Sequence, residues 1–115
     1  MAMTVLIVDD DRELVEVLSE ALLEAGYSVR VAWDGQMALE AVGKVHTDLV
    51  IADVRMPRLD GVGLMRALRA RAAPVPVVLM SAWPGMADDD RITMLAKPFG
   101  LDEMLGVVAA TIAGR

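Results

Sequence analysis

The pattern of apolar and polar positions divides the chain into strand-like runs separated by helix-like stripes. The strand-like runs cover residues 5–8, 28–33, 48–53, 75–80 and 92–96. The first and third are continuous Val, Leu, Ile and Ala segments with no polar alternation, which is typical of strands that are buried on both faces. A parallel sheet with a covering layer on each side would bury strands in this way.

Helical stripes, in which apolar residues recur at three- and four-residue steps, follow four of these runs. They lie at residues 14–25, 37–42, 64–68 and 101–112, and Gly26 and Gly43 follow the first two as stop signals. Strands that alternate with helices favour right-handed crossovers and a parallel sheet. We therefore predict a five-stranded, doubly wound α/β domain.

The segment between the fourth and fifth strands breaks this regularity. Residues 82–91 contain Pro84-Gly85 and the acidic run 88–90, with almost no apolar periodicity. Ten residues are also at the lower limit for a parallel crossover. We predict that the helix expected here, the fourth in chain order, is absent or reduced to a single turn.

Composition narrows the class of protein. The 115 residues suit one domain, and 17 acidic against 11 basic side chains give a net charge of −6. Because the basic residues are scattered, direct nucleic-acid binding is not expected. The absence of cysteine excludes disulfides and thiolate chemistry. No apolar stretch reaches the roughly 20 residues of a membrane span, so we expect no membrane association and a cytoplasmic location. His46, the single histidine, is expected to be an exposed loop residue without a partner.

Polar side chains follow the strand-like runs at their carboxyl ends. Asp9, Asp10 and Asp11 follow the first run directly. Asp11 fits the N-cap of the next helix, which leaves the other two acids without a helical role. Adjacent carboxylates repel one another, so a nearby cation is expected. Asp53 and Lys97 stand at the exits of the third and fifth runs, and strand exits of a parallel sheet meet at one edge.

Four motifs at these exits together resemble a response-regulator receiver domain. They are Val-Asp-Asp-Asp at 8–11, Asp-Val-Arg-Met-Pro-Arg-Leu-Asp-Gly at 53–61, Met-Ser-Ala at 80–82 and Lys-Pro-Phe at 97–99. The resemblance covers essentially the whole chain, and the order of the motifs makes it specific. It implies a flavodoxin-like sheet of strand order 2-1-3-4-5, one receiver domain over residues 1–115 and no effector domain in this chain.

The resemblance also implies a metal-dependent site. Asp53 would be the nucleophile that accepts a phosphoryl group. Asp10 and Asp53 would bind Mg²⁺ directly, Asp9 would act mainly through a bound water, and the backbone carbonyl of Arg55 would complete the protein ligands. The cofactor expected is therefore Mg²⁺.

Two further residues would serve the phosphoryl group. Lys97 would neutralise its oxygens, and in similar domains the peptide bond before the following proline is cis. Ser81 would donate a hydrogen bond to a phosphoryl oxygen, and its inward movement would shift the loop that follows. Trp83 fits two roles equally well, overhanging the site or simple loop packing.

Two departures from the family pattern concern signal output. The stretch from Ser81 to Lys97 is shorter than the pattern by about six residues, more than one helical turn. Met94 stands where such domains usually carry an aromatic residue that swings inward. We therefore expect output through an atypical 81–97 segment, with the loop 83–91 changing between mobile and ordered states. Any homodimer is expected to use a non-standard face.

The leading hypothesis is a signalling switch in a two-component phosphorelay, not an enzyme. It would receive its phosphoryl group from a sensor histidine kinase or a phosphotransfer protein and act on a downstream protein or effector domain. The chief alternative is a receiver-like scaffold that binds its partner regardless of phosphorylation. A phosphatase of the haloacid-dehalogenase type would need a second aspartate where Arg55 stands, and a flavodoxin-like ligand binder would need a glycine-rich phosphate loop after the first strand.

Overall fold

A computed structural model describes residues 2–72, 74–82 and 93–114 of the chain. Its strands are β1 (Thr4–Val8), β2 (Ser28–Ala32), β3 (Leu49–Asp53), β4 (Val77–Ser81) and β5 (Thr93–Ala96). Its helices are α1 (Arg12–Glu24), α2 (Gly35–Lys44), α3 (Gly61–Arg69) and α4 (Leu101–Ala113). The predicted strands are thus present, with small differences at their ends.

The five strands form one parallel sheet in the order β2-β1-β3-β4-β5. This order confirms the predicted doubly wound fold. The segment predicted to lack its helix is residues 82–91, and from residue 83 onward it lies outside the described residues. The helix labelled α4 here is the one that follows β5. None of the described helices is long and apolar enough to cross a bilayer.

Two apolar clusters cover the sheet, one on each face. Successive side chains of a strand point to opposite faces, so Val5 and Ile7 join the cluster under α1 and α4, whereas Leu6 and Val8 join the cluster under α2 and α3. All four are at most 1% exposed. This two-sided burial explains the uninterrupted apolar run in the sequence and leaves polar groups only at the strand ends.

Three helices begin near the carboxyl edge of the sheet, each behind a capping aspartate. Asp11 accepts hydrogen bonds from the backbone N–H groups of residues 13 and 14, as predicted for an N-cap. Asp34 caps α2 by accepting from the N–H of residue 37 at 2.8 Å, and Asp60 caps α3 by accepting from that of residue 63 at 2.7 Å. These helix N-termini therefore surround the strand exits and direct N–H groups toward this edge.

Candidate functional site

Two acids and one lysine from three different strand exits meet at the carboxyl edge of the sheet. Asp53 ends β3, Asp9 follows β1, and Lys97 follows β5. The Lys97 Nζ lies 3.0 Å from the Asp53 Oδ1 and 3.5 Å from the Asp9 Oδ2. The structure therefore brings together three of the residues that the sequence placed at this edge, although 44 positions separate the lysine from Asp53.

Asp9 is a buried carboxylate with an incomplete set of partners. It is 1% exposed, and its Oδ1 accepts a hydrogen bond from the Asp11 backbone N–H at 3.0 Å. Its Oδ2 has no hydrogen-bond partner among the described residues, with the Lys97 ammonium at ion-pair distance. Burial raises the pKa of Asp9, and the Asp11 hydrogen bond and the charge of Lys97 only partly oppose that shift. The site thus holds an acid whose charged form lacks full compensation.

Lys97 is held in place through its backbone as well as its side chain. Its N–H donates to the Ser81 carbonyl at 2.8 Å, which ties the exit of β5 to the end of β4. Its peptide bond to Pro98 is cis, as the resemblance implied. Burial alone would lower the pKa of Lys97, but the hydrogen bond and charge of Asp53, followed by the charge of Asp9, raise it overall. The ammonium group therefore stays charged at neutral pH.

Ser81 and Arg55 complete one small cleft at this edge. Ser81 is 3% exposed at the end of β4, and it lines a cleft of about 140 Å³ together with Asp53, Arg55, Ala82 and Lys97. A cleft of this size has room for a small polar group beside the Asp53 carboxylate. The predicted phosphoryl-binding side chains thus lie around one opening, while their roles stay predictions.

Asp10 lies apart from this cluster. It is exposed and lines a separate, shallow depression of about 490 Å³ with Arg55 and other residues of the loop 54–60. The two depressions adjoin, because Val54 and Arg55 line both. The predicted metal ligands Asp10 and Asp53 therefore line two adjoining depressions that share Arg55.

The residue types present fit a magnesium ion. Carboxylate and carbonyl oxygens are its preferred protein ligands, and it commonly keeps several waters while using only one or two carboxylates. The Asp9 Oδ2, buried without a hydrogen bond from any residue that the structure describes, is an oxygen that a hydrated cation could satisfy. Within residues 2–72, 74–82 and 93–114, no three acidic or histidine side chains are grouped closely enough to enclose an ion by themselves. Water and a backbone carbonyl would therefore have to supply part of the shell.

Some predicted features fall outside the described residues, and one prediction, for His46, is wrong. Trp83, the acidic run 88–90 and the loop 83–91 lie outside the described residues. Met94 is half-buried and packs against the cluster under α2 and α3. The expectation that His46 lacks a partner is wrong, because its Nε2 lies 2.9 Å from the Asp48 Oδ1, although its side chain is 78% exposed. Sequence reasoning missed this contact because both residues lie in the short connection before β3 and meet only once that connection is folded.

Two glycines near the site were also missed. From the sequence alone, Asp34-Gly35 would be interpreted as a break between elements and Asp60-Gly61 as a loop signal. Both are the cap and first residue of a helix, and both glycines lie against backbone, where a Cβ would overlap other atoms. The available signal was an Asp-Gly pair directly before an apolar helical stripe.

Comparisons with known proteins agree with this geometry. The family model described as "Response regulator receiver domain" matches residues 5–109. The chain is 36% identical over 118 residues to Response regulator MprA of Mycolicibacterium vanbaalenii, and 38% identical over 116 residues to that of Mycobacterium leprae. These alignments cover 97% and 96% of the chain but 51% of each relative, so the chain spans about half the length of the curated relatives it matches.

Solved structures show the same architecture. The chemotaxis response regulator CheY4 of Vibrio cholerae superimposes with a TM-score of 0.88 at 27% identity, over 96% of this chain and 99% of that one. The receiver domain of Francisella response regulator 1452 gives 0.86 at 30% identity, over 97% and 98%.

Proposed function

Because the chain belongs to the response regulator receiver family, we propose that it is a phosphoacceptor switch in which Asp53 takes up a phosphoryl group. The observation that carries this proposal is the 3.0 Å contact between the Lys97 Nζ and the Asp53 Oδ1 at the mouth of a small cleft. A nucleophilic carboxylate beside a fixed cation, with a buried second acid nearby, suits the transfer of a highly charged group.

The proposed reaction uses few protein groups. An Asp53 carboxylate oxygen attacks the phosphorus of a phosphohistidine on a partner kinase or phosphotransfer protein. The new P–O bond forms as the P–N bond breaks, and the electron pair stays on the imidazole nitrogen, which then takes a proton. Lys97 offsets the negative charge on the transferred oxygens, and its short contact with Asp53 places it at the reacting carboxylate.

Mg²⁺ is the proposed cofactor. Asp10, Asp53 and the Arg55 carbonyl would hold it, and Asp9 would reach it through a bound water. When bound, the ion supplies positive charge to the phosphoryl oxygens in the transition state. The Asp9 Oδ2, which accepts no hydrogen bond within the described part of the chain, supports this assignment, because a hydrated cation would give that buried oxygen a hydrogen-bond donor.

The output of the switch would pass through residues 81–97. Ser81 and Lys97 both line the cleft, and the hydrogen bond from the Lys97 N–H to the Ser81 carbonyl couples the two ends of this segment. A new hydrogen bond between Ser81 and a phosphoryl oxygen would therefore act directly on the segment. Receiver domains work with histidine kinases and effector domains, and we expect a partner of each kind. The chain would act as a signalling switch, not as a turnover enzyme.

The test is phosphoryl uptake from a small donor. The chain is incubated with Mg²⁺ and acetyl phosphate, and its intact mass is measured. We expect one added phosphoryl group in the wild type and none in Asp53→Asn. Asp11→Asn is the matched control, because it removes a carboxylate next to the predicted metal ligands while keeping an N-cap, and it should be labelled like the wild type.

Met94 supports one second candidate. A half-buried methionine in the core, where the family usually has a mobile aromatic residue, favours a scaffold whose partner binding ignores phosphorylation. Magnesium binding without phosphoryl uptake, from either acetyl phosphate or a phosphorylated kinase, would favour this scaffold and contradict the phosphoacceptor proposal.

A further inference from the structure

The loop 54–60 joins Asp53 to α3 and carries Arg55, so its position determines how the proposed metal ligands face one another. Two Asp-Gly pairs contact this loop, each at a different place. In each pair the aspartate caps a helix and the glycine is the first residue of that helix: Asp34-Gly35 begins α2, and Asp60-Gly61 begins α3. The same local sequence thus brings two helix N-termini against one loop.

Gly61 closes the loop onto the end of β3. Its N–H donates to the Val54 carbonyl at 3.0 Å, and a Cβ at this position would overlap the Asp53 carbonyl oxygen. This contact joins the two ends of the loop to each other. A second contact reaches the loop from another part of the chain, near the C-terminal end of the loop.

Gly35 supplies that second contact. A Cβ built on Gly35 would overlap the Leu59 carbonyl oxygen and lie 2.8 Å from its carbonyl carbon. The Leu59 side chain is half-buried against the cluster under α2 and α3, and its N–H donates to the Pro57 carbonyl at 2.9 Å. A backbone oxygen cannot rotate away as a side-chain end can. Any side chain at position 35 would therefore have to move the loop or the helix.

We propose that Gly35 is a positioning residue of the site: its lack of a side chain lets α2 set the position of the loop 54–60, and thereby of the Arg55 carbonyl relative to Asp53. This inference rests on the proposed phosphoacceptor function. The adjacent Arg58 agrees with a loop held in one conformation, because its φ of 70° lies in the left-handed region and its guanidinium is 3.8 Å from the Asp34 carboxylate.

Gly35→Ala tests the proposal, with Gly43→Ala as its matched control. Both add one methyl group to α2, but around Gly43 a Cβ would meet only the end of the flexible Arg71 side chain, at 3.7 Å. Magnesium affinity is measured by isothermal titration calorimetry, and acetyl phosphate labelling of Asp53 is followed across magnesium concentrations. We expect Gly35→Ala to weaken magnesium binding by about tenfold, as changes to outer-shell supports commonly do.

The same variant should separate two kinetic quantities. The magnesium concentration that gives half-maximal labelling should rise in parallel with the dissociation constant measured by calorimetry. The limiting rate of Asp53 labelling at saturating magnesium should change much less. A glycine that only supports folding would leave both unchanged in the folded protein. Gly43→Ala should match the wild type in both measurements.

Each outcome has one meaning. Wild-type magnesium affinity in a folded Gly35→Ala overturns the positioning role and leaves the phosphoacceptor function standing. No labelling of the wild type contradicts the phosphoacceptor function, and the calorimetric comparison then still decides the positioning role. If Gly35→Ala does not fold, Leu59→Ala decides: it loosens the same loop by removing a half-buried side chain, and unchanged magnesium binding there would overturn the proposal.

Discussion

Two buried aspartates lie at opposite ends of the sheet, and the described residues give their carboxylates different degrees of hydrogen bonding. Asp48, 6% exposed, precedes β3 at the amino edge; its Oδ2 accepts from the Thr4 N–H at 2.7 Å, and its Oδ1 lies 2.9 Å from the His46 Nε2. Asp9, 1% exposed, follows β1 at the carboxyl edge, and its Oδ2 has no hydrogen bond among the described residues.

This difference separates an acid whose partners support the fold from one whose negative charge lacks full compensation. Burying a carboxylate is costly unless hydrogen bonds replace those lost to water. Asp48 regains them by tying the start of β1 to β3, so its charge supports the fold. Asp9 regains them only in part, and burial raises its pKa. The magnesium ion proposed above would supply the compensation that the described residues do not.

The largest effect on stability should come from removing the Asp48 carboxylate, whose two oxygens both have partners. Asp48→Ala is expected to lower the free energy of unfolding by about 2 kcal/mol, because the Thr4 N–H loses its acceptor. Urea unfolding measures the change. Labelling of the folded variant by acetyl phosphate should stay at the wild-type level, since the site lies at the other end of the sheet. Loss of labelling in folded protein would show that the two ends are coupled.

Replacing Asp9, whose charge is only partly compensated, should instead raise the free energy of unfolding. Asp9→Asn keeps an oxygen for the Asp11 N–H but removes the buried charge, so the magnesium-free chain should become more stable by about 1 kcal/mol. Magnesium binding should weaken at the same time. A destabilised variant in the same urea experiment would mean that the ion pair with Lys97 already compensates Asp9 fully.

The stability gained by Asp9→Asn should depend on pH in a definite direction. Because the pKa of Asp9 is raised in the folded state, its contribution to stability is fully present below its ordinary value of 3.8 and is lost as the pH rises through the raised value. The advantage of Asp9→Asn should therefore grow with pH above 3.8 and then level off. Lys97 does not interfere, because its raised pKa makes its contribution disappear only above about pH 10.5. Urea titrations without magnesium between pH 4 and 8 would show the trend, and an advantage that shrinks with pH would contradict it.

The smallest effect should come from the exposed partner of Asp48. The His46 side chain is 78% exposed, so His46→Ala should change the free energy of unfolding by less than about 0.5 kcal/mol. Thermal unfolding near neutral pH is sufficient to measure it. A change as large as that of Asp48→Ala would mean that the histidine, and not the Thr4 N–H, provides the main compensation.

Much of the fold could be predicted because the local signals agree. The continuous apolar runs at 5–8 and 49–52 required burial on both faces, and the capping Asp11 and the stop at Gly26 marked the first helix between them. The predicted stop at Gly43 is wrong, because α2 continues through it to Lys44. The motif residues Asp9, Asp53 and Lys97 could likewise be assigned to one edge, because each follows a strand. His46 was misjudged, because its partner depends on the shape of a turn.

The sequence by itself determined the order of strands and helices and the edge at which polar groups collect, since both follow from hydrophobic periodicity and chain direction. Tertiary structure alone decided which acids are buried, which buried oxygen finds no donor among the described residues, and where a side chain has no room. Lys97 meets Asp9 and Asp53, and Gly35 meets Leu59, only after segments distant in sequence pack together. Burial and close backbone approach are properties of that packing, so no local pattern encodes them.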